Sequence, residues 1–123
     1  MNPSKILLVE DEELIRLLLT EALTDEGFAV ISAADGAQAR DVINSSEHFD
    51  LLFTDIQLPG DLDGLDIARL MRDRFPSVPI IFTTGQPDRM QGWTVGPQDH
   101  FVAKPYRPFA VTALIHKLVR SGK

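Results

Sequence analysis

Lys5-Ile-Leu-Leu-Val9 is a continuous apolar run behind one lysine, and Glu10-Asp11-Glu12 stops it abruptly. A short run without polar alternation is the pattern of a strand buried on both faces. The period then becomes helical. From Glu12 to about Leu23, Leu14, Leu18 and Ala22 recur at i, i+4 and i+8, with Ile15 and Leu19 on the neighbouring row and Glu13, Arg16 and Thr20 outside it. Gly27 ends that helix. The same alternation continues down the chain. Phe28 to Ala33 reads as a second strand, Asp35 as the N-cap of a helix running to about Asn44, and Asp50 to Thr54 as a third strand. Leu65, Ile67, Ala68 and Met71 supply a helical face before Phe75-Pro76, and Val78 to Phe82 is a fourth strand. Between Gly85 and Gln98, Gly85, Pro87, Gly92, Gly96 and Pro97 leave room for only a short, weak helix. Phe101 to Ala103 is a short fifth strand. Val111, Leu114, Ile115 and Leu118 then mark a last helix.

Strand and helix signals in strict alternation, joined by short connections, predict a parallel sheet with helices on both faces, a doubly wound α/β domain. No linker, low-complexity tract or repeat divides the 123 residues, so one domain spanning 1–123 is expected. Composition narrows the function classes. The absence of cysteine excludes a disulfide framework, a thiolate metal site and a cysteine nucleophile, and it fits a cytoplasmic setting. The run Ile6 to Val9 is far too short for a membrane span or a signal-peptide core. Twelve basic against eighteen acidic side chains give a net charge of −6, which repels polyphosphate and anionic membrane. Neither nucleic acid nor membrane is therefore expected as a partner.

In doubly wound folds ligands bind outside the carboxyl ends of the strands, near the point where the strand order reverses. Glu10 and Asp11 follow strand one, Asp55 strand three, Thr83 and Thr84 strand four, and Lys104-Pro105 strand five. Any one of these is accounted for by polar residues beginning where strands end. The set is different, because two carboxylates about 4 Å apart repel by about 4 kcal/mol at an effective dielectric of 20. Such a trio calls for a cation. Hard oxygen ligands without His or Cys favour Mg²⁺, which takes one or two carboxylates and shares its other positions with water and phosphate oxygens. Asp55, after the central strand and between the acidic pair and Lys104, is then the best candidate for a nucleophile that forms an aspartyl-phosphate, with a threonine hydroxyl and a lysine ammonium binding the phosphoryl oxygens.

Leu7-Leu-Val-Glu-Asp-Glu12, Leu52-Phe-Thr-Asp-Ile-Gln-Leu-Pro-Gly60, Ile81-Phe-Thr-Thr-Gly85 and Phe101-Val-Ala-Lys-Pro105 together resemble the receiver domain of two-component response regulators, in order and spacing, over essentially the whole chain. The resemblance implies a (βα)5 flavodoxin-like fold with Mg²⁺ as cofactor. Position by position it implies Asp55 as phosphoacceptor, Asp11 as a direct metal ligand, Glu10 holding the metal through water, and the Gln57 backbone carbonyl as a further ligand. It implies Thr84 as the switch hydroxyl, Lys104 at the phosphoryl group, a cis Lys104-Pro105 peptide, and Phe101 as an aromatic whose rotamer reports activation. Gln57 and Gln86 occupy positions that tune phosphoryl lifetime. Thr83 is read as packing or solvent-facing, and His48, His100 and His116 as surface residues without a partner at useful spacing.

The chain departs from the family pattern in places. The loop Pro59-Gly-Asp-Leu-Asp-Gly64 is one residue longer than usual, and Glu10 stands where Asp is commoner. Phe82-Thr-Thr-Gly85 with Lys104-Pro-Tyr106 partly resembles the Phe-Ala-Thr-Gly-X-Tyr receiver subgroup, with Thr83 and Pro87 in place of its Ala and Tyr. Asp61 to Asp66 faintly suggests a calcium loop, but a loop leading into a helix N-terminus accounts for it better. The expected function is a stand-alone receiver, phosphorylated by a histidine kinase or histidine phosphotransfer protein, that signals through a protein partner. It would be a self-phosphorylating and self-dephosphorylating switch, not a metabolic enzyme. A receiver cut from a longer regulator or hybrid kinase is the alternative, since Ser121-Gly-Lys123 fits either. A phosphatase of another doubly wound family is less favoured, because Gln57 stands where its acid/base carboxylate would be. A pseudo-receiver is disfavoured by the complete set Asp11, Asp55, Thr84 and Lys104.

Overall fold

A computed structural model of the chain describes residues 3–45, 47–86 and 93–121. Strands β1 (Lys5–Val9), β2 (Ala29–Ala33), β3 (Leu51–Asp55), β4 (Ile80–Thr84) and β5 (Asp99–Ala103) form one parallel sheet in the order β2-β1-β3-β4-β5. Helices α1 (Glu13–Asp25), α2 (Gly36–Asn44), α3 (Gly64–Arg74) and α4 (Pro108–Ser121) complete the described elements. The order reverses between β1 and β3, so the carboxyl ends of those two strands open the crevice where a doubly wound sheet binds ligands. Most of the short, weak helix expected within 85–98 falls on residues 87–92, outside the described residues, and no helix forms over 93–98.

The period-two strands divide the core in two. Leu7, Val9, Leu52, Ile80 and Phe82 point to one face, where Ala39 and Ile43 of α2 and Ile67, Ala68 and Met71 of α3 cover them. Ile6, Leu8, Leu51, Phe53 and Ile81 point to the other, beneath Leu19 and Leu23 of α1 and Val111 and Ile115 of α4. Helices on both faces bury all of β3 and β1 from Ile6 to Val9, which is why those segments read as unbroken apolar runs.

The helix ends follow local chemistry. Gly27, at φ +92°, lets α1 close with the Phe28 amide on the Leu23 carbonyl and the Gly27 amide on the Thr24 carbonyl. That left-handed position is where glycine carries no Cβ penalty. Asp35 caps α2 by accepting the Gln38 amide at 2.8 Å. Asp63 and Asp66 cap α3 reciprocally, so the acidic stretch 61–66 is a loop and helix start.

The strand limits differ from expectation by one or two residues. Asp55 and Thr84 are the last residues of β3 and β4 and do not follow them, while β5 begins two residues early at Asp99. The inward face of α1 also differs. Leu19 and Leu23 are buried, whereas Leu14 and Leu18 are 67% and 46% exposed, with Leu17 exposed beside them. Two adjacent rows of this helix are apolar, and the i, i+4 series Ile15-Leu19-Leu23 is the one that meets α4 and the sheet.

Gly64 sets the approach of α3 to the crevice. Its amide donates to the Ile56 carbonyl at 2.8 Å, and a Cβ there would lie 2.1 Å from the Asp55 carbonyl oxygen. Gly64→Ala is expected to lower unfolding free energy by about 1–3 kcal/mol, read as a lower urea midpoint. Gly85→Ala, where a Cβ meets nothing within 4 Å, is expected to change it by less than about 0.5 kcal/mol. Equal midpoints for the two variants would show that the α3 loop yields.

Candidate functional site

The carboxyl edge of the sheet gathers Glu10, Asp11, Asp55 and Lys104. One carboxylate oxygen from each of Glu10, Asp11 and Asp55 lies within 4.8 Å of the others. Glu10 is fully buried, Asp55 is 3% exposed and Asp11 is exposed, so the cluster has a floor and a mouth. The Lys104 ammonium is 2.5 Å from Asp55 Oδ2 and 3.8 Å from Glu10 Oε1. The other Asp55 oxygen accepts the Gln57 amide at 3.0 Å. The register Asp55↔Thr83 and Thr83↔Val102 carries the sheet across to β5, and the Lys104 amide donates to the Thr84 carbonyl at 3.3 Å. The Lys104-Pro105 peptide is cis.

Glu10 is held from its own turn. Its Oε2 accepts the Glu12 amide at 3.0 Å, and its backbone carbonyl accepts from Arg16 Nη1 at 2.9 Å. Its Oε1 is buried and has no hydrogen-bond partner among the described residues. Burial pushes Glu10 up to about 7, against the opposing pull of the Glu12 amide and Lys104, with the Asp55 charge adding to the rise. Burial pulls Lys104 down, but the hydrogen bond and charge of Asp55, together with Glu10 and Glu12, outweigh it and leave the ammonium above its ordinary value. The pocket thus holds more negative charge than one lysine balances. An orphaned buried carboxylate oxygen beside two further acids fits a hard divalent cation of the Mg²⁺ type.

Thr84 stands at the rim and is turned to its own loop: its hydroxyl accepts the Gln86 amide at 2.9 Å and donates to the Gln86 carbonyl at 3.3 Å. Gln57 Nε2 donates to Gln86 Oε1 at 3.3 Å, bridging the two loops beside Asp55. Phe101 lies away from the acids, 47% exposed and stacked on Phe82 with ring centroids 5.5 Å apart. Thr83 is buried, so its solvent-facing alternative does not hold. The histidines differ in part from expectation: His116 meets Glu26 at 2.8 Å and His48 lies 3.5 Å from Asp50.

Two further residues bear on the site, Arg16 with no role expected of it there and Tyr106 expected only as part of the Lys104-Pro-Tyr106 motif. Arg16 ties α1 to the Glu10 turn, and Tyr106 buries its hydroxyl without a hydrogen-bond partner among the described residues, edge-on to Phe53 at 5.9 Å. Burial, then the charges of Glu10, Asp55 and Glu12, push the Tyr106 phenol upward. An aromatic two residues after the lysine was the available signal for Tyr106.

A doubly wound sheet with an acidic crevice at its switch point and a lysine facing it defines a domain that handles an anion with the help of a cation. The model of the response regulator receiver domain matches residues 6–116, and the chain belongs to that family: it is a receiver domain of two-component response regulators. It is 35% identical to the transcriptional regulatory protein ResD of Bacillus subtilis, covering 97% of this chain and 49% of ResD. It is 36% identical to protein RcaC of Microchaete diplosiphon, covering 96% of this chain and 18% of RcaC. The chain therefore spans half or less of these relatives. Among solved structures, a response regulator receiver protein from Sinorhizobium medicae superposes with a TM-score of 0.89 at 27% identity over 98% of both chains. The receiver domain of the sensor histidine kinase PA1611 from Pseudomonas aeruginosa, solved with magnesium in its active-site cleft, gives 0.81 at 29% identity over 96% of this chain and 98% of that one. Phosphorylation by histidine kinases and Mg²⁺ binding at the acidic pocket are typical of the family.

The Glu10 shift has a sign. A carboxyl whose folded-state value lies above the ordinary 4.5 contributes nothing below about 4.5 and becomes increasingly destabilising as pH rises through about 7. In metal-free buffer Glu10→Gln is expected to match wild type near pH 4.5 and to be more stable by about 1–3 kcal/mol at pH 8. Mg²⁺ is expected to stabilise wild type and narrow that gap. Urea melts at the two pH values, with and without Mg²⁺, measure both effects, and a pH-independent difference would contradict them.

Proposed function

We propose that Asp55 is the phosphoacceptor of this receiver domain and that the phosphoryl group comes from the phosphohistidine of a histidine kinase or histidine phosphotransfer protein. The observation that carries this reading is the Lys104 ammonium 2.5 Å from Asp55 Oδ2, with carboxylate oxygens of Glu10 and Asp11 gathered within 4.8 Å of an Asp55 oxygen. A carboxylate oxygen of Asp55 forms the new P–O bond while the P–N bond to the donor imidazole breaks, and the electron pair leaves with the imidazole. Lys104 orients Asp55 before transfer and binds a phosphoryl oxygen after it. The Thr84 hydroxyl gives up Gln86 to bind another. The carboxylates of Glu10, Asp11 and Asp55 and the Gln57 carbonyl would hold Mg²⁺, which supplies charge neutralisation for the transferring group. Gln57 and Gln86, joined across the rim, stand where they would limit the access of hydrolytic water and so set the phosphoryl lifetime.

An exposed apolar surface lies next to this pocket. Leu14, Leu17 and Leu18 on α1 are about half or more exposed, and Phe109 at the start of α4 is 80% exposed. Leu18 also lines a groove of about 450 Å³ with Ile15, Leu19, Pro105 and Tyr106, bordered by Glu12 and Lys104. A mainly apolar groove that reaches Lys104 fits a protein donor docking over Asp55. The net charge of −6 disfavours nucleic acid as the partner of this domain, and we place its action in the cytoplasm. Among the described residues no helix is long and apolar enough to cross a membrane. Partial coverage of ResD and RcaC fits both a single-domain receiver and the receiver portion of a longer regulator.

Incubation with Mg²⁺ and acetyl phosphate is expected to add one phosphoryl group to wild type and none to Asp55→Asn, read by intact mass. An adduct on Asp55→Asn, or none on folded wild type, would refute the assignment. The surface is tested separately. Leu18→Asp is expected to slow transfer from a phosphorylated donor protein at least about tenfold while leaving the acetyl phosphate rate within about twofold. Equal slowing of both would show that the substitution disturbs the pocket and not docking.

A further inference from the structure

On the face covered by α2 and α3, Phe82 of β4 lies at the end of the core cluster next to β5. Trp93 covers that corner. Its indole packs edge-on to the buried Phe82 at 5.2 Å, and Phe82 stacks in turn on Phe101 at 5.5 Å. The guanidinium groups of Arg69 and Arg72 on α3 lie 5.6 and 5.5 Å from the indole centroid. Beneath them the side chain of Asp99, the first residue of β5, is wholly buried. Its Oδ1 accepts from Arg72 Nη2, and its Oδ2 accepts Trp93 Nε1 at 3.0 Å and the Gly96 amide at 2.7 Å. One buried carboxylate thus ties three separate pieces together: the last turn of α3, the segment before β5, and β5 itself.

We propose that the Asp99–Arg72–Trp93 cluster is a latch that holds the β4–β5 corner in its unphosphorylated arrangement and opposes occupation of the Asp55 pocket. The proposal rests on the reading of Asp55 given above. Phe82 lies two residues before Thr84 on β4, and Trp93 packs against it. In the structure the Thr84 hydroxyl is committed to Gln86. Turning it to a phosphoryl oxygen gives up both bonds to Gln86 and shifts the end of β4, the strand whose Phe82 packs against Trp93 of the latch. Two discrete sets of contacts then compete: Thr84 on Gln86 with the latch closed, or Thr84 on the phosphoryl group with the corner repacked. Packed aromatic corners respond to such competition by switching between arrangements. A change that weakens only the closed arrangement raises the population competent to bind, and so tightens binding at Asp55 by up to the same factor.

Trp93 is the sole tryptophan and reports on its own latch. The full chain is titrated with beryllofluoride at fixed Mg²⁺, following Trp93 emission and, in parallel, heat of binding. Wild type is expected to show a saturable emission change that Asp55→Asn lacks. Arg72→Met keeps the aliphatic stem over the indole but removes the donor to Asp99. It is expected to bind beryllofluoride about fivefold more tightly or better, with its unliganded emission displaced toward the liganded wild type. Trp93→Phe keeps a ring against Phe82 without the N–H donor, and calorimetry is expected to show the same tightening should Arg72→Met fail to fold. Affinity that is unchanged or weaker in the folded variants overturns the latch, as does binding to wild type by calorimetry with no change in emission. Beryllofluoride that binds Asp55→Asn as well as wild type, or fails to bind wild type, overturns the Asp55 reading and the latch with it. The two failures are distinct, because the second shows in wild type and Asp55→Asn before any latch residue is altered.

Discussion

The Lys104 to Asp55 contact is the interaction on which the crevice depends. Glu10 and Asp55 lie inside the protein, and Asp11 sits at the mouth, so one ammonium faces three carboxylates where the dielectric is low. Coulomb repulsion between the acids is felt far more strongly there than in water. Burial above all, with the Asp55 charge adding to it, pushes Glu10 up to about 7, and the surrounding acids hold the proton on Lys104. Both responses are alternatives to a bound cation. The charges that strain the unliganded fold are thus the same ones that give a divalent ion its affinity, and stability and ligand binding are linked through them.

That charge balance works only if four strand ends arrive at the same height. Parallel pairing brings Val9 level with Thr54, Thr54 with Phe82, and Phe82 with Phe101. A one-residue slip of any strand would exchange its core face for the opposite one, so the hydrophobic alternation that builds the two cores also fixes the site. Gly64 adds the last constraint. The N-terminus of α3 comes so close to the Asp55 carbonyl that no side chain fits between, which locks the backbone of β3 at the point where its carboxylate leaves the sheet.

The strands and the acids at their ends were legible because a doubly buried strand has a plain signature and charged residues end it abruptly. Asp55, Glu10, Asp11 and Lys104 fall together by topology alone once five parallel strands are granted. Three features were not legible. The inward row of α1 was ambiguous, since Leu14-Leu18-Ala22 and Ile15-Leu19-Leu23 both satisfy helical spacing, and only packing against α4 and the sheet selects the second. Asp99 reads in sequence as a polar residue before a strand; its burial depends on Arg72, 27 residues earlier, and on Trp93. The Thr84 hydroxyl was legible as a position but not as a state, because its bond to Gln86 is a choice made by the loop.

On the proposed reading, the two faces of the sheet would divide the labour of a switch. On the α1/α4 face, Leu19, Leu23, Val111 and Ile115 close over the strands, and the exposed leucines of α1 lie outside that seam, so a docking protein can use them without disturbing the core. On the α2/α3 face, β5 is the edge strand, with Phe101 half in solvent. A change there moves few buried groups. Phe101 can change its stacking on Phe82, and Thr84 its hydrogen bonds, while Phe82 itself stays in the core. In the proposed latch the cost of switching falls on the small polar cluster around Asp99, whose one carboxylate serves three donors. A buried carboxylate loses a great deal when one donor leaves and the others cannot compensate. That makes the corner resistant to small fluctuations, yet able to yield as a unit when a competing set of contacts forms at Asp55.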